Sequence, residues 1–212
     1  MKLTVFLLLL TGIVACKDSA RIPDDFDYGK VENQVYRNQY FGFEIPLPSD
    51  WALQSREEME KLRQKGRAMI ERSNKDMAGT LKASEINSAM LLSIFRYKPD
   101  SVTGEFNHSL TVLAENISKI PGIKTATDYL ENTQKLITQS RMPYQTSGIH
   151  HQKVGGRDFD IMTITMNLQG LSIEQLYYVT VIRDFVVGMI ISYGNGRQEQ
   201  ELKDIVSGIR FK

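Results

Sequence analysis

The sequence predicts an α+β domain built around an antiparallel sheet. Three observations carry that prediction. The last third of the chain is a run of strand-like segments joined by tight turns. Two stretches of helical period, 55–73 and 125–140, stand apart from that run. A third helix closes the chain instead of alternating with strands, which favours α+β over a parallel α/β arrangement. In the last third, residues 149–154 and 159–168 flank Gly155-Gly156 as a hairpin. Gln169-Gly170 turns the chain into 172–182, and Arg183-Asp184 turns it into 185–193. Residues 185–191 are almost wholly apolar, so that strand is expected at the centre of the sheet. Asn195, with Gln198 three residues on, caps the final helix, whose Leu202, Ile205, Val206 and Ile209 share one face.

The earlier elements follow in order. Phe43, Ile45 and Leu47 alternate with Glu44 and Pro46, giving a half-buried strand. Pro46 and Pro48 place it at an edge or a strand end. Pro48-Ser49-Asp50 turns the chain, and Trp51 returns it to the core. Ser55 and Glu58 form a capping box for the helix over 55–73, and Met59, Leu62, Met69 and Ile70 give it one apolar stripe. Residues 74–87 contain Gly79 and many polar side chains and read as a loop. The run 89–97, AMLLSIFRY, is a buried strand. Residues 108–117 fit a strand or a short helix equally well. Thr125 and Asp128 cap the helix over 125–140, with Ala126, Tyr129, Leu130, Leu136 and Ile137 on one face.

Residues 1–15 read as a signal peptide. Lys2 is followed by an uncharged run over 3–14, shorter than the roughly twenty residues that a spanning helix needs. Its end, Ile13-Val14-Ala15-Cys16, resembles the bacterial lipobox, which implies cleavage between Ala15 and Cys16 and lipidation of Cys16. Two or more acyl chains on one residue give stable membrane anchoring. Lys17 in place of Asp favours the outer membrane in a Gram-negative host; in a host without one, the outer face of the plasma membrane is expected. Residues 16–33 then read as the lipidated Cys16 and a polar, solvated tether, and 34–212 as a single domain. Cys16 is the only cysteine, so its lipidation leaves no disulfide, thiolate metal site or cysteine nucleophile. Cleavage removes Lys2 and turns a formal charge of +1 into a neutral chain with His uncharged, which gives no electrostatic footprint for nucleic acid.

Candidate chemistry is sparse. His150 and His151 are adjacent on a predicted strand and point to opposite faces, a poor arrangement for one metal ion. Asp158 and Asp160 share a strand face, where paired carboxylates can do acid/base work; an exposed face beside a turn explains them more simply. The Gly194-Asn195-Gly196 stretch is a turn and cap without the full phosphate-loop pattern. Tyr177 and Tyr178 fall on opposite faces, which leaves one of them to a contact surface. No catalytic, cofactor or metal residue is assigned.

The stretch YRNQYFGFEIPLPSDW resembles the opening of PsbP-like and DcrB-like domains through Tyr36, Asn38, Phe41, Gly42, Phe43, Ile45, Pro48 and Trp51. The close of the chain is similar to the close of the same domains through Ser207, Ile209 and Phe211. The resemblance implies an antiparallel sheet of about six strands with helices on both faces, an α/β/α sandwich. It also implies a non-enzymatic module that binds a protein partner, since the family includes photosystem II extrinsic subunits and small bacterial lipoproteins. The expected protein is therefore a membrane-anchored envelope lipoprotein acting by contact, with the membrane and an envelope protein as its partners. A small-molecule carrier is the first rival and requires an apolar pocket between sheet and helix. A hydrolase is the second, and requires His150, Asp158 and Asp160 to converge in one cleft.

Overall fold

The apolar stretch Phe185–Tyr193 becomes a strand at the middle of the main sheet, as its composition predicts. A computed structural model describes residues 21–98, 101, 104–168 and 171–212. Cys16 and the leader lie outside the described residues.

In chain order the strands are β1 (Lys30–Glu32), β2 (Val35–Asn38), β3 (Phe43–Pro46), β4 (Ala52–Leu53), β5 (Ser88–Phe95), β6 (Ser109–Asn116), β7 (Tyr144–Thr146), β8 (His150–Val154), β9 (Arg157–Leu168), β10 (Leu171–Ile182), β11 (Phe185–Tyr193) and β12 (Arg210–Phe211). The helices are α1 (Arg56–Ser73), α2 (Ala78–Asn87), α3 (Ala126–Ser140) and α4 (Gly196–Ser207). The main sheet has 8 strands in the order β4-β5-β6-β11-β10-β9-β7, with β8 also paired to β9. A second, 4-stranded sheet runs β1-β2-β3-β12. Among the described residues every pairing is antiparallel.

The sheet of about six strands is thus corrected upward. In the main sheet the strands that escape sequence reading are β4 and β7, of 2 and 3 residues. Segments that short carry too few positions for a period-two pattern to show. Residues 74–87 are not a loop either. After a 3₁₀ turn at Lys75–Met77 they form α2. Residues 109–116 settle as strand β6.

Alternation along the central strands divides the core in two. Tyr178, Phe185, Val187, Met189 and Ile191 face the small sheet and α4, whose Leu202, Ile205 and Val206 join the same cluster. Val179, Val186, Met162 and Ile164 face the other way and pack with Leu130 of α3. Tyr177 and Tyr178 do lie on opposite faces, yet neither supplies an exposed contact surface. Each belongs to one of the two clusters, and burial pushes both phenols up to about 12.

The folded domain starts earlier than residue 34. Asn33 and Gln34 both have positive φ, 51° and 59°, as the two central residues of a type I′ hairpin turn require. They join β1 to β2, so the expected boundary falls in the middle of a hairpin. Upstream, Phe26 is 8% exposed and packs in the main core. Its ring lies 5.2–5.8 Å from those of Tyr28, Tyr40, Phe41 and Phe185. Polar composition concealed this, because one aromatic among many charges gives no periodic signal.

Candidate functional site

Residues with chemical potential fall into three places. The first is the β8–β9 hairpin. His151 Nδ1–H donates to Asp160 Oδ1 (2.5 Å), and the hydroxyl of Thr127 on α3 donates to Asp160 Oδ2 (2.5 Å). Lys153 Nζ donates to Asp158 Oδ1 at 2.6 Å, on side chains that are both largely exposed. Register explains both pairs: His151 lies opposite Asp160, and Lys153 opposite Asp158. His150 lies opposite Ile161 and so projects from the other face. The hydrolase arrangement therefore does not assemble. Asp158 is held by a lysine in solvent, Asp160 ties β8 to α3, and His150 is apart from both. Among the described residues no group of His, Cys, Asp and Glu is placed to hold a metal ion.

The second place surrounds His108, which is 1% exposed. Its Nε2–H donates to Glu201 Oε2 at 2.9 Å, and Trp51 meets the ring edge-on with centroids 5.1 Å apart. Arg197 Nη1 donates to Glu201 Oε1 at 2.8 Å, and Arg96 Nε lies 3.9 Å from Oε2. The bond from His108 and then the nearby positive charges hold the Glu201 carboxyl below its ordinary value. This cluster fastens α4 to the mouth of β6 and the Trp51 turn, and it is structural in character.

The third place is a cavity of about 440 Å³ between α3 and the main sheet. Glu115 reaches it from β6, Tyr129 and Leu136 from α3, and Ile120, Pro121 and Ile123 from the connection between them. Asn87, Lys119, Asn132 and Thr133 complete the lining. Tyr129 Oη donates to Glu115 Oε2 at 2.8 Å, while Glu115 itself is 8% exposed. Burial of the hydroxyl and the adjacent carboxylate push the Tyr129 phenol well above its ordinary range. It therefore stays protonated and donates. The cavity thus has largely apolar walls with the hydrogen-bonded Glu115–Tyr129 pair set in its lining; apolar walls with a few polar groups are the usual composition of a small-molecule site.

Sequence reading did not find this site. Tyr129 was visible only as one apolar position on a helix, and Glu115 sat in a segment that could have been strand or helix. The available signal was a carboxylate among Leu110, Val112, Leu113 and Ala114, where a buried charge requires a partner.

These features define a mixed α+β protein with a large antiparallel sheet and a cavity under one covering helix. Its likeness among solved structures is to cyanobacterial PsbP (CyanoP) from Synechocystis, at 14% identity and a TM-score of 0.51, covering 87% of this chain and 98% of that one. LpqN of Mycobacterium tuberculosis, involved in cell envelope biogenesis, matches at 14% identity and a TM-score of 0.43, over 80% of this chain and 83% of its own. A protein of unknown function from Pseudomonas aeruginosa matches at 9% identity and 0.42, over 57% and 79%. No protein-family model matches the chain, and no curated protein does. The likeness to CyanoP establishes a PsbP-like fold, and identity at this level carries nothing about activity. Among the described residues no helix is long and apolar enough to cross a membrane.

Proposed function

We propose that the protein is a lipid-anchored binding module of the bacterial cell envelope, that it works without catalysis, and that its site is the cavity beneath α3. The observation that carries this reading is the cavity itself, with apolar walls converging on the Glu115–Tyr129 pair. Its volume of about 440 Å³ falls within the range of roughly 300–1,000 Å³ typical of small-molecule sites. The envelope location is supported by the leader and by Cys16 in its lipobox-like context. Replacing Cys16 with Ser should abolish metabolic labelling with palmitate; continued labelling would refute the anchor.

A cavity-filling variant tests the site. The wild type should bind an apolar fluorescent dye such as anilinonaphthalene sulfonate, and Leu136→Trp should abolish binding with an unchanged melting temperature. Equal dye binding by both proteins would move the site elsewhere. A second reading, docking of an envelope protein, is favoured by β8. Four of its five residues are exposed, and among the described residues it pairs with β9 alone. A strand of that kind accepts an added strand from a partner.

A further inference from the structure

The open side of β8 has a defined pattern of backbone groups. Val154 and Arg157 pair across the two-residue turn Gly155-Gly156, whose φ angles of 57° and 85° are those of a type I′ hairpin. In such a hairpin the pair next to the turn exchanges both backbone hydrogen bonds, and the following pairs alternate between non-bonded and bonded. Gln152 and His150 therefore spend their backbone groups on Phe159 and Ile161, while the N–H and C=O of His151 and Lys153 point away from β9. Among the described residues no other strand or loop backbone bonds those outward groups. Such an edge is a template for one more strand.

The side chains say which strand fits. His151 and Lys153 stand on the face of Asp160 and Asp158 and bond to them. Lys153 spends one of its three ammonium donors on Asp158, and its side chain is 68% exposed. Residues 147–154, SGIHHQKV, contain no acid. A carboxylate opposite Lys153 on an added strand extends a row of alternating sign, from Asp158 through Lys153 to the newcomer. Opposite charges directly facing each other across strands stabilise a sheet, and like charges destabilise it. The next residue of the added strand falls on the other face, which is that of the buried Phe159 and Ile161, and an apolar side chain suits it.

We infer that β8 is the docking edge for an extended partner segment in which acidic and apolar residues alternate, with a partner carboxylate opposite Lys153. This rests on the strand-addition reading above and adds the partner's chemistry and register.

The test uses the full-length protein in detergent micelles and two fluorescein-labelled heptapeptides, one alternating valine with glutamate, the other valine with lysine. Fluorescence anisotropy gives the affinities, and amide hydrogen exchange maps the contact. The glutamate peptide should bind about tenfold more tightly, a preference of about 1.4 kcal/mol. It should also slow exchange at His151 and Lys153. Lys153→Gln should bring the two peptides within about threefold of each other, since one facing charge pair is lost. His151→Pro removes one outward N–H and should abolish binding of both peptides, whereas His151→Ala, which loses the same bond to Asp160 but keeps the N–H, should bind. Melting temperatures of the two His151 variants show whether the proline has unfolded the hairpin; if it has, the exchange data on the wild type decide. Equal affinity for the two peptides, with both slowing exchange at β8, would overturn the acidic assignment and leave the edge as a docking strand. A dimer in sedimentation that His151→Pro dissociates and the glutamate peptide does not would give the edge to a second copy instead. No binding and no protection at β8 with either peptide would sink the strand-addition reading itself.

Discussion

Glu201 shows how one side chain sets a pH limit on the fold. Three positive or polarisable groups face it: His108 from the start of β6, Arg96 from beyond β5, and Arg197 from its own helix. Arg96 is shared with Asp50, and Arg197 with Glu105, so the network links α4 to both flanking loops. The folded-state carboxyl is held low, first by the bond from His108. A depressed carboxyl contributes stability that is present above its unfolded value of about 4.3 and is lost as pH falls through the folded value. Below that point His108 loses its anionic acceptor in a buried position. Thermal melts between pH 7 and pH 3 should therefore show the wild type more stable than Glu201→Gln at neutral pH, with the difference shrinking below pH of about 4. A gap that stays constant across the range would show that the charge on Glu201 does not matter. At the cavity, the protonated Tyr129 and its carboxylate acceptor answer the same need, since a buried carboxylate must be met by donors.

At the scale of elements, capping chemistry was the most legible signal. Ser55 and Glu58 form the capping box of α1, and Thr125 and Asp128 that of α3, as residue types at fixed spacing predict. Asn195 accepts from Gln198 N at the start of α4. The hairpin β8–β9 was equally legible because only glycine suits its turn. Gly155 has φ +57°, and a Cβ there would stand 2.6 Å from Ile209 O. Less was legible where pattern and burial part company. The predicted stripe on α1 is only partly covered: Met59 is buried, but Met69 is 44% exposed. These facts order two substitutions. Ser55→Ala should cost about 1 kcal/mol, as the loss of an exposed cap does. Gly155→Ala should cost more, because it combines a left-handed backbone with a clash against the chain. Urea denaturation of the two variants checks the order, and the reverse order would mean that the 155–156 turn relaxes freely.

At the scale of the molecule, the small sheet and the segment before it close one face of the core. The YRNQYFGF stretch explains how. Tyr36 Oη donates to Tyr28 O at 2.8 Å, and Asn38 Nδ2 donates to Asp27 O at 2.9 Å. The Asp27 carboxylate in turn accepts from the backbone N–H groups of Gly29, Gln39 and Tyr40. The residues that carry the family resemblance thus fasten a segment that its own composition marks as linker. The cavity was hidden for the same reason. It depends on which residues α3 and β6 bring together across 14 positions of chain, and no local period records that. A solvated tether and a packed segment predict different outcomes for the same changes. Were residues 17–33 a tether, every substitution in it would be nearly neutral. Given the packing, Phe26→Ala removes a ring at the junction of four other aromatics and should destabilise the domain by about 3–5 kcal/mol. Asp24→Ala and Asp25→Ala, on exposed side chains two residues and one residue away, should stay within about 0.5 kcal/mol. Urea denaturation of the three variants distinguishes the two pictures. A neutral Phe26→Ala would mean that this segment is the solvated linker its composition suggests.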